Sequence, residues 1–272
     1  MTRRLIVNAD DLGLHPGINA GVLHAHREGI VTSASLCPNG AAFDDAVSRL
    51  RETPTLDVGV HLTVVGGEMP ILRDLPTLAP SGRLPHTFGR LFRDLALGRV
   101  RRAEIEAEMA AQVERAREAG VRVSHLDSHQ HVHLHPALLG PVIAIAQRFG
   151  IAAVRAARRV RPIRGMRAAL LALLSRPASA RVRAAGLKSP DCFVGADDSG
   201  RLDAGRLERL LDALPDGTSE LLCHPGTGAA GIAEAYPDWN FRWDDETQAL
   251  TAPRTRERLR QAGVTLTSYR EL

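Results

Sequence analysis

Short apolar runs alternate with longer amphipathic stretches along the whole chain. Apolar runs of strand length cover residues 5–9, 32–36, 56–61, 122–126, 152–155, 219–223 and 265–268. Helical periodicity covers residues 17–28, 41–51, 103–119, 136–149, 206–213 and 252–262. Gly120 suits the position after a helix end, and Pro136 suits a first helical turn. This alternation predicts an α/β fold with a parallel sheet, and about seven strands predict a TIM-like (β/α) barrel, distorted or seven-stranded.

Two long segments interrupt this rhythm within the single domain that we expect over residues 1–272. Residues 66–98 are rich in proline and glycine, and residues 226–246 carry four aromatic residues. Long loops in such places commonly shape a substrate pocket. We therefore expect Trp239 and Trp243 to offer flat faces that suit sugar rings. The alternative is a hydrophobic plug beneath the loop.

Polar side chains gather where three of the apolar runs end. Asp10 and Asp11 follow the first run, and His61 closes the third. Residues 125–135 hold five of the eleven histidines, and a strand-like alternation would send His129, His131 and His133 to one side. Because the carboxyl ends of parallel strands meet at one edge of a sheet, and imidazole and carboxylate bind divalent cations, this pattern predicts a metal site. The alternatives are a loose metal-scavenging tract and an ordinary turn that caps the next helix.

Composition narrows the class of protein. The chain has 272 residues, 44% of them hydrophobic and 24% charged, which is typical of a globular protein with a full core. Its three cysteines are widely spaced, and neither a membrane span nor a signal peptide is evident. We therefore expect a cytoplasmic protein without disulfides.

The middle of the chain is strongly basic. Residues 129–189 contain eleven Arg or Lys and no Asp or Glu, so the remainder of a chain of net charge +4 sums to −7. This basic helical segment, near 155–188, begins at Arg155 and includes an apolar helical stretch at 166–174. It favours peripheral contact with an anionic membrane or an acidic substrate, while a core-facing helix with a solvated flank is the alternative. Aromatic residues are only 4% of the chain, which argues against nucleic acid as a partner.

Four motifs in order carry a family resemblance. They are Asn-Ala-Asp-Asp-Leu-Gly at 8–13, His61 after a strand, His-Leu-Asp-Ser-His at 125–129 and Cys-His-Pro-Gly at 223–226. With them the chain resembles the YdjC-like carbohydrate deacetylases over essentially its whole length. Ser-Pro-Asp-Cys-Phe-Val-Gly at 189–195 and the basic segment make it most similar to the branch associated with hopanoid biosynthesis.

The resemblance implies a distorted barrel and one divalent metal ion. Carried over by position, it implies Asp11, His61 and His129 as metal ligands, Asp10 as general base and His224 as general acid. The donor set suits Zn²⁺, with Mg²⁺ the other main candidate and Mn²⁺, Ni²⁺ or Co²⁺ also compatible.

Several roles stay open at the level of sequence. His125 could replace His129 as a ligand, since spacing alone does not choose between them. Residues expected to orient a ligand or to contact substrate are His125, Asp127, His131 and His133.

The leading hypothesis is a metal-dependent hydrolase that removes the N-acetyl group from an N-acetylglucosamine-type sugar, either free or joined to a hopanoid lipid. The alternatives are a metal-dependent phosphoesterase or amidohydrolase, and a sugar- or lipid-binding protein without turnover. A small molecule or glycolipid is the expected partner, and a homodimer is left open.

Overall fold

A curved parallel sheet forms the centre of the computed structural model, which describes residues 2–159 and 165–272. From one edge to the other, its strands cover residues 153–154, 123–128, 57–62, 33–36, 3–12, 217–223, 192–194 and 158–159, and the strand at 264–267 pairs with the first half of the strand at 3–12. Every described pairing is parallel, with helices as the connections between most strands. This is the distorted α/β barrel that the strand–helix alternation predicts.

The described elements have the following bounds. The strands are β1 Arg3–Leu12, β2 Ser33–Leu36, β3 Asp57–Leu62, β4 Val123–Ser128, β5 Ala153–Val154, β6 Arg158–Arg159, β7 Cys192–Val194, β8 Gly217–Cys223 and β9 Val264–Thr267. The helices are α1 Pro16–Arg27, α2 Phe43–Arg51, α3 Phe88–Ala96, α4 Arg102–Glu118, α5 Pro136–Arg148, α6 Gly165–Ala184, α7 Ala204–Asp212, α8 Ala229–Ala235, α9 Trp243–Thr251 and α10 Pro253–Gln261. Turns of 3₁₀ helix cover His129–Leu134 and Tyr269–Glu271.

Local signals in the sequence explain several of these boundaries. Pro136 opens α5, where its missing N–H costs nothing, and the His135 side chain accepts a hydrogen bond from the backbone of Ala137. Gly120 follows α4 in the left-handed conformation, with a φ of 87°. Both boundary predictions are confirmed.

The structure differs from the sequence pattern in the two long segments. Helix α3 lies within residues 66–98, and α8 and the start of α9 lie within 226–246. The short strands β6 and β7 have no counterpart among the predicted runs, because two or three residues are too few to show a period of two. The seven predicted strands are all present, although the fifth is only two residues long.

The three cysteines are buried and free, as expected for a chain without disulfides. Within residues 2–159 and 165–272, no helix has the length and apolar character needed to cross a bilayer. Helix α6 forms most of the described part of the basic segment 155–188. Residues 160–164 of that segment, and its side chains at 159 and 165–172, lie outside what the structure describes.

Helix α1 packs tightly against the loop that follows β8. A Cβ atom at Gly21 would lie 2.3 Å from the Cα of Gly226, far inside van der Waals contact. The backbone of Thr227 also donates a hydrogen bond to the carbonyl of Gly17 at 2.9 Å. Glycine at position 21 therefore sets the position of the segment that begins with His224.

We expect Gly21→Ala to lower the free energy of unfolding by about 1–3 kcal/mol, because backbone atoms of the loop must move to admit the methyl group. Urea unfolding followed by circular dichroism measures the change. Gly89→Ala is the matched control, since a Cβ there meets nothing within 4 Å in the exposed part of α3, and it should leave stability equal or slightly higher. A Gly21→Ala protein as stable as the wild type would contradict this packing.

Candidate active site

Two adjacent carboxylates end strand β1, and the backbone turns both toward the same site. Asp11 has a φ of 70°, and the register with β2 shifts between Ala9 and Leu12. Successive side chains on a regular strand point to opposite faces, so this irregularity is what allows Asp10 and Asp11 to lie together. A non-glycine residue in the left-handed region is strained, and such strain concentrates at functional sites.

Asp11, His61 and His129 converge from three strand ends. Each offers one ligand atom, and these atoms lie within 4.8 Å of one another. Asp11 Oδ1 lies 3.5 Å from His61 Nε2 and 3.1 Å from His129 Nδ1. All three residues are buried. The structure thus brings together the three residues that the resemblance implies as ligands.

The electrostatics of this group suit a cation. Burial alone would lower the pKa of His61, but the carboxylates of Asp127, Asp10 and Asp11 outweigh it and raise the pKa to about 9. Burial would raise the pKa of Asp11, yet its contact with His129 and the nearby imidazoles hold that pKa at about 2. A site this rich in negative charge, with nitrogen and oxygen donors facing one another, fits a divalent metal ion.

Asp127 fixes the orientation of the His61 ring. Its Oδ1 lies 2.8 Å from His61 Nδ1, so the imidazole donates its Nδ1–H to the carboxylate and turns Nε2 toward Asp11. Ser35 donates to the other oxygen of Asp127 at 2.7 Å. These contacts are the ones that the orienting role expected of Asp127 requires.

Arg155 lies in the barrel interior and contacts three carboxylates. Two of its guanidinium nitrogens bond both oxygens of Asp10, at 2.7 and 2.8 Å. The same side chain reaches Asp127 at 2.7 Å and Glu220 at 2.8 Å. With only 2% of Arg155 exposed, its assignment to a patch that faces a membrane or an acidic partner is wrong.

His224 lies beside Asp11 in the same site. Its Nε2 is 3.8 Å from Asp11 Oδ2, and its Nδ1 lies 3.5 Å from the Ser199 hydroxyl. The buried carboxylate of Glu246 accepts the backbone N–H of His224 at 2.5 Å and that of Leu202 at 3.1 Å. Burial lowers the pKa of His224, while Asp11 and Asp10 act in the opposite direction.

The other histidines of residues 125–135 do not share one side of a strand, so the predicted alternation is wrong. Strand β4 ends at Ser128, and Gln130 and His131 both take left-handed conformations in the following turn. This turn directs His129 to Asp11, while His133 bonds Ser128 and the carbonyl of Arg155, both at 2.6 Å. His131 lines the same cavity as Asp10, Asp11 and His61, and it packs edge-on against Phe193.

His125 lies in the core beneath the candidate ligands. Its ring stacks on Tyr269 with centroids 3.7 Å apart, and its two nitrogens face the hydroxyls of Ser124 and Ser35. Burial lowers its pKa to about 4, so the ring is neutral. Among the described residues, no cluster able to hold a metal includes His125.

A cavity of about 330 Å³ opens above the acidic residues. Its floor includes Asp10, Asp11 and His61, and aromatic rings of Phe88, Trp239 and Phe241 line its sides. Trp239 stacks on His129 with centroids 5.4 Å apart. Trp243 is 2% exposed and does not line this cavity, so it belongs to the core beneath the loop.

The two long segments meet beside this cavity. The Tyr236 hydroxyl from the second segment lies 3.2 Å from Glu68 Oε1 of the first and 3.3 Å from the carbonyl of Leu14. Gln130 ties the first segment to the histidine turn through the backbone of Phe88 and His86. Both long segments therefore help to shape the pocket, as their sequences predict.

The sequence pattern assigns no site role to Arg155, Ser199 or Glu246. Arg155 ends the predicted strand 152–155, a position equivalent to that of His61, and this was the signal that could have identified it. Glu246 carries no such signal, because it lies on α9 and acts on a backbone N–H.

Comparisons with known proteins agree with this geometry. A model of the YdjC-like protein family matches residues 4–261. A carbohydrate deacetylase of Geobacillus stearothermophilus is 33% identical over 273 residues, covering 100% of this chain and 98% of the relative. A chitooligosaccharide deacetylase of Klebsiella pneumoniae strain 342 is 34% identical over 276 residues, covering 100% of both.

A solved structure shares the whole architecture. It is a protein from Enterococcus faecalis V583 that is provisionally described as acting in cellobiose-phosphate cleavage. It is 26% identical, has a TM-score of 0.80, and is matched over 99% of this chain and 98% of its own. On the strength of its motifs, its fold and these matches, the chain belongs to the YdjC-like protein family.

Proposed function

We propose that this protein is a carbohydrate deacetylase that uses one divalent metal ion to remove the N-acetyl group from an N-acetylglucosamine-type sugar. One observation carries the proposal: a buried Asp11–His61–His129 cluster lies at the base of a cavity with Asp10 and His224 beside it. The names of the full-length relatives support carbohydrate deacetylation as the activity.

An amide resists hydrolysis because its carbonyl is a weak electrophile and its amine is a poor leaving group. The chemistry that a divalent ion would supply here is Lewis-acid activation of a water molecule and of the acetyl carbonyl. Asp11, His61 and His129 would hold the ion, and three protein ligands leave coordination positions open for these groups. The hydrogen bond from His61 to Asp127 holds its Nε2 ready for such a role.

Proton transfers fall to two other side chains. Asp10 accepts a proton from the attacking water at its carboxylate, which Arg155 and Asn8 hold in a fixed orientation. His224 delivers a proton to the sugar nitrogen as the carbon–nitrogen bond breaks, so that acetate and the free amine leave. Ser199 and Glu246 fix the ring and backbone of His224 for this step.

The size of the cavity suits a single terminal sugar rather than a large apolar ligand. Its volume of about 330 Å³ is at the small end for a ligand pocket. Rings of Trp239 and Phe241 offer apolar faces, while Asp238, Gln130 and Ser199 offer polar groups to hydroxyls. Amphipathic rings beside hydrogen-bonding groups match the two kinds of surface on a pyranose.

We propose further that the sugar is carried by a hopanoid lipid. Support comes from the sequence at 189–195 and from the basic segment. Helix α6 also exposes 72% of Leu173, an apolar residue at the surface of that segment. A helix with basic and apolar residues at its surface suits a peripheral contact with an anionic bilayer that holds such a substrate.

Acetate release by the purified protein tests both the proposed deacetylase activity and the proposed hopanoid-linked substrate. We expect release from N-acetylated chitooligosaccharide or from an N-acetylglucosamine-bearing hopanoid, lost on treatment with chelator and restored by Zn²⁺ or Mg²⁺. A kcat/KM at least tenfold higher for the hopanoid would support the lipid-linked substrate, and preference for the free oligosaccharide would overturn that finer proposal. No release from either substrate by metal-loaded protein would contradict the proposed deacetylase activity. It would favour the alternative, a hydrolase of phosphate esters or other amides.

We expect Asp10→Asn to lower kcat by about 10²–10⁴-fold, because the amide cannot accept the proton of the attacking water. Metal content should stay at the wild-type level, since Asp11, His61 and His129 are unchanged. Asp74→Asn makes the same substitution at an exposed position and should leave kcat unchanged. An Asp10→Asn enzyme with wild-type kcat would remove Asp10 as the base.

A further inference from the structure

Two clusters able to hold a metal ion overlap at this site. The first is Asp11–His61–His129, and the second is Asp10–His61–Asp127. They share His61, whose Nε2 faces Asp11 while its Nδ1 faces Asp127. This arrangement resembles a two-metal hydrolase site, in which ions about 3.5–4 Å apart share ligands.

The second cluster already contains a cation of the protein's own. One guanidinium nitrogen of Arg155 lies 2.8 Å from Asp10 Oδ2 and 2.7 Å from Asp127 Oδ2. The other terminal nitrogen lies 2.7 Å from Asp10 Oδ1, and Nε lies 2.8 Å from Glu220. Both oxygens of Asp10 and one oxygen of Asp127 are therefore bonded to Arg155.

We infer that Arg155 takes the place of a second metal ion and thereby holds the site to one divalent cation per chain. This inference rests on the metal dependence in the proposed function. A guanidinium is always protonated, and its planar set of donors matches carboxylates in a fixed geometry. It neutralises Asp10 and Asp127 while leaving Asp11 and His129 to an exchangeable ion.

The packing around Arg155 keeps it in this position. Its backbone N–H donates to Leu126 at 2.9 Å, and its carbonyl lies 2.6 Å from His133 Nε2. Glu220 holds the far side of the guanidinium and itself accepts a hydrogen bond from Tyr269 at 2.6 Å. A shift of Arg155 away from the two aspartates would have to break these buried contacts.

Removing the guanidinium should open the second position. In Arg155→Met the carboxylates of Asp10 and Asp127 stay buried without their cation, and a divalent ion from solution can supply the missing positive charge. In Glu220→Gln the contacts from Arg155 to both aspartates remain possible. Glu220→Gln is therefore the matched control, and its metal stoichiometry should equal that of the wild type.

Metal stoichiometry is measured by equilibrium dialysis of chelator-stripped protein against Mn²⁺, and the spacing of bound ions by electron paramagnetic resonance. We expect one uncoupled Mn²⁺ per chain in the wild type and in Glu220→Gln. Arg155→Met should bind two, with the exchange-coupled signal of ions a few ångströms apart. Circular dichroism and thermal unfolding establish that each variant is folded.

If Arg155→Met does not fold, Arg155→Met/Glu220→Gln takes its place, because it leaves one fewer buried carboxylate without a partner. One Mn²⁺ per chain in the folded Arg155 variant, or a coupled pair in the wild type, would overturn the inference. Neither result would contradict the proposed deacetylase activity. No Mn²⁺ in the wild type, under conditions where acetate is released, would overturn the metal dependence on which the inference rests.

Discussion

The site depends on one buried guanidinium shared among three carboxylates. Arg155 has 2% of its surface exposed and bonds Asp10, Asp127 and Glu220, which are 2%, 0% and 0% exposed. Buried carboxylates are costly unless they are paired and hydrogen-bonded, so their positions in the interior require this cation. Through Asp10 it fixes the proposed base, and through Asp127 it fixes the imidazole of His61.

The same network joins the fold to the site. Asp10 comes from β1, Asp127 from β4 and Glu220 from β8, while Arg155 directly follows β5. Tyr269, close to the end of the described chain, adds its hydroxyl to Glu220 and its ring to His125. Groups held this firmly before substrate arrives are what electrostatic catalysis requires, because little reorganisation is left for the reaction itself.

Much of this arrangement can be predicted from sequence, for a clear physical reason. Apolar runs mark strands and parallel strands end at one edge, so the pattern alone brings the two aspartates, His61 and the histidines after 124 together. The family resemblance, and not the spacing, selects Asp11 and His129 from among them. Local departures from regular backbone conformation could not be predicted from the sequence. The left-handed conformation of Asp11 turns both aspartates inward, and those of Gln130 and His131 end the expected alternation. Arg155 was misassigned because it was grouped with the basic residues that follow it in sequence, although it ends a predicted strand as His61 does.

Anomalous diffraction from crystals of the metal-loaded protein, recorded at the absorption edge of the bound ion, tests the central claim most directly. The account predicts a single anomalous peak within coordination distance of Asp11, His61 and His129, with the guanidinium of Arg155 still between Asp10 and Asp127. A peak between Asp10 and Asp127 with Arg155 displaced, or no peak at these residues in protein that releases acetate, would contradict it.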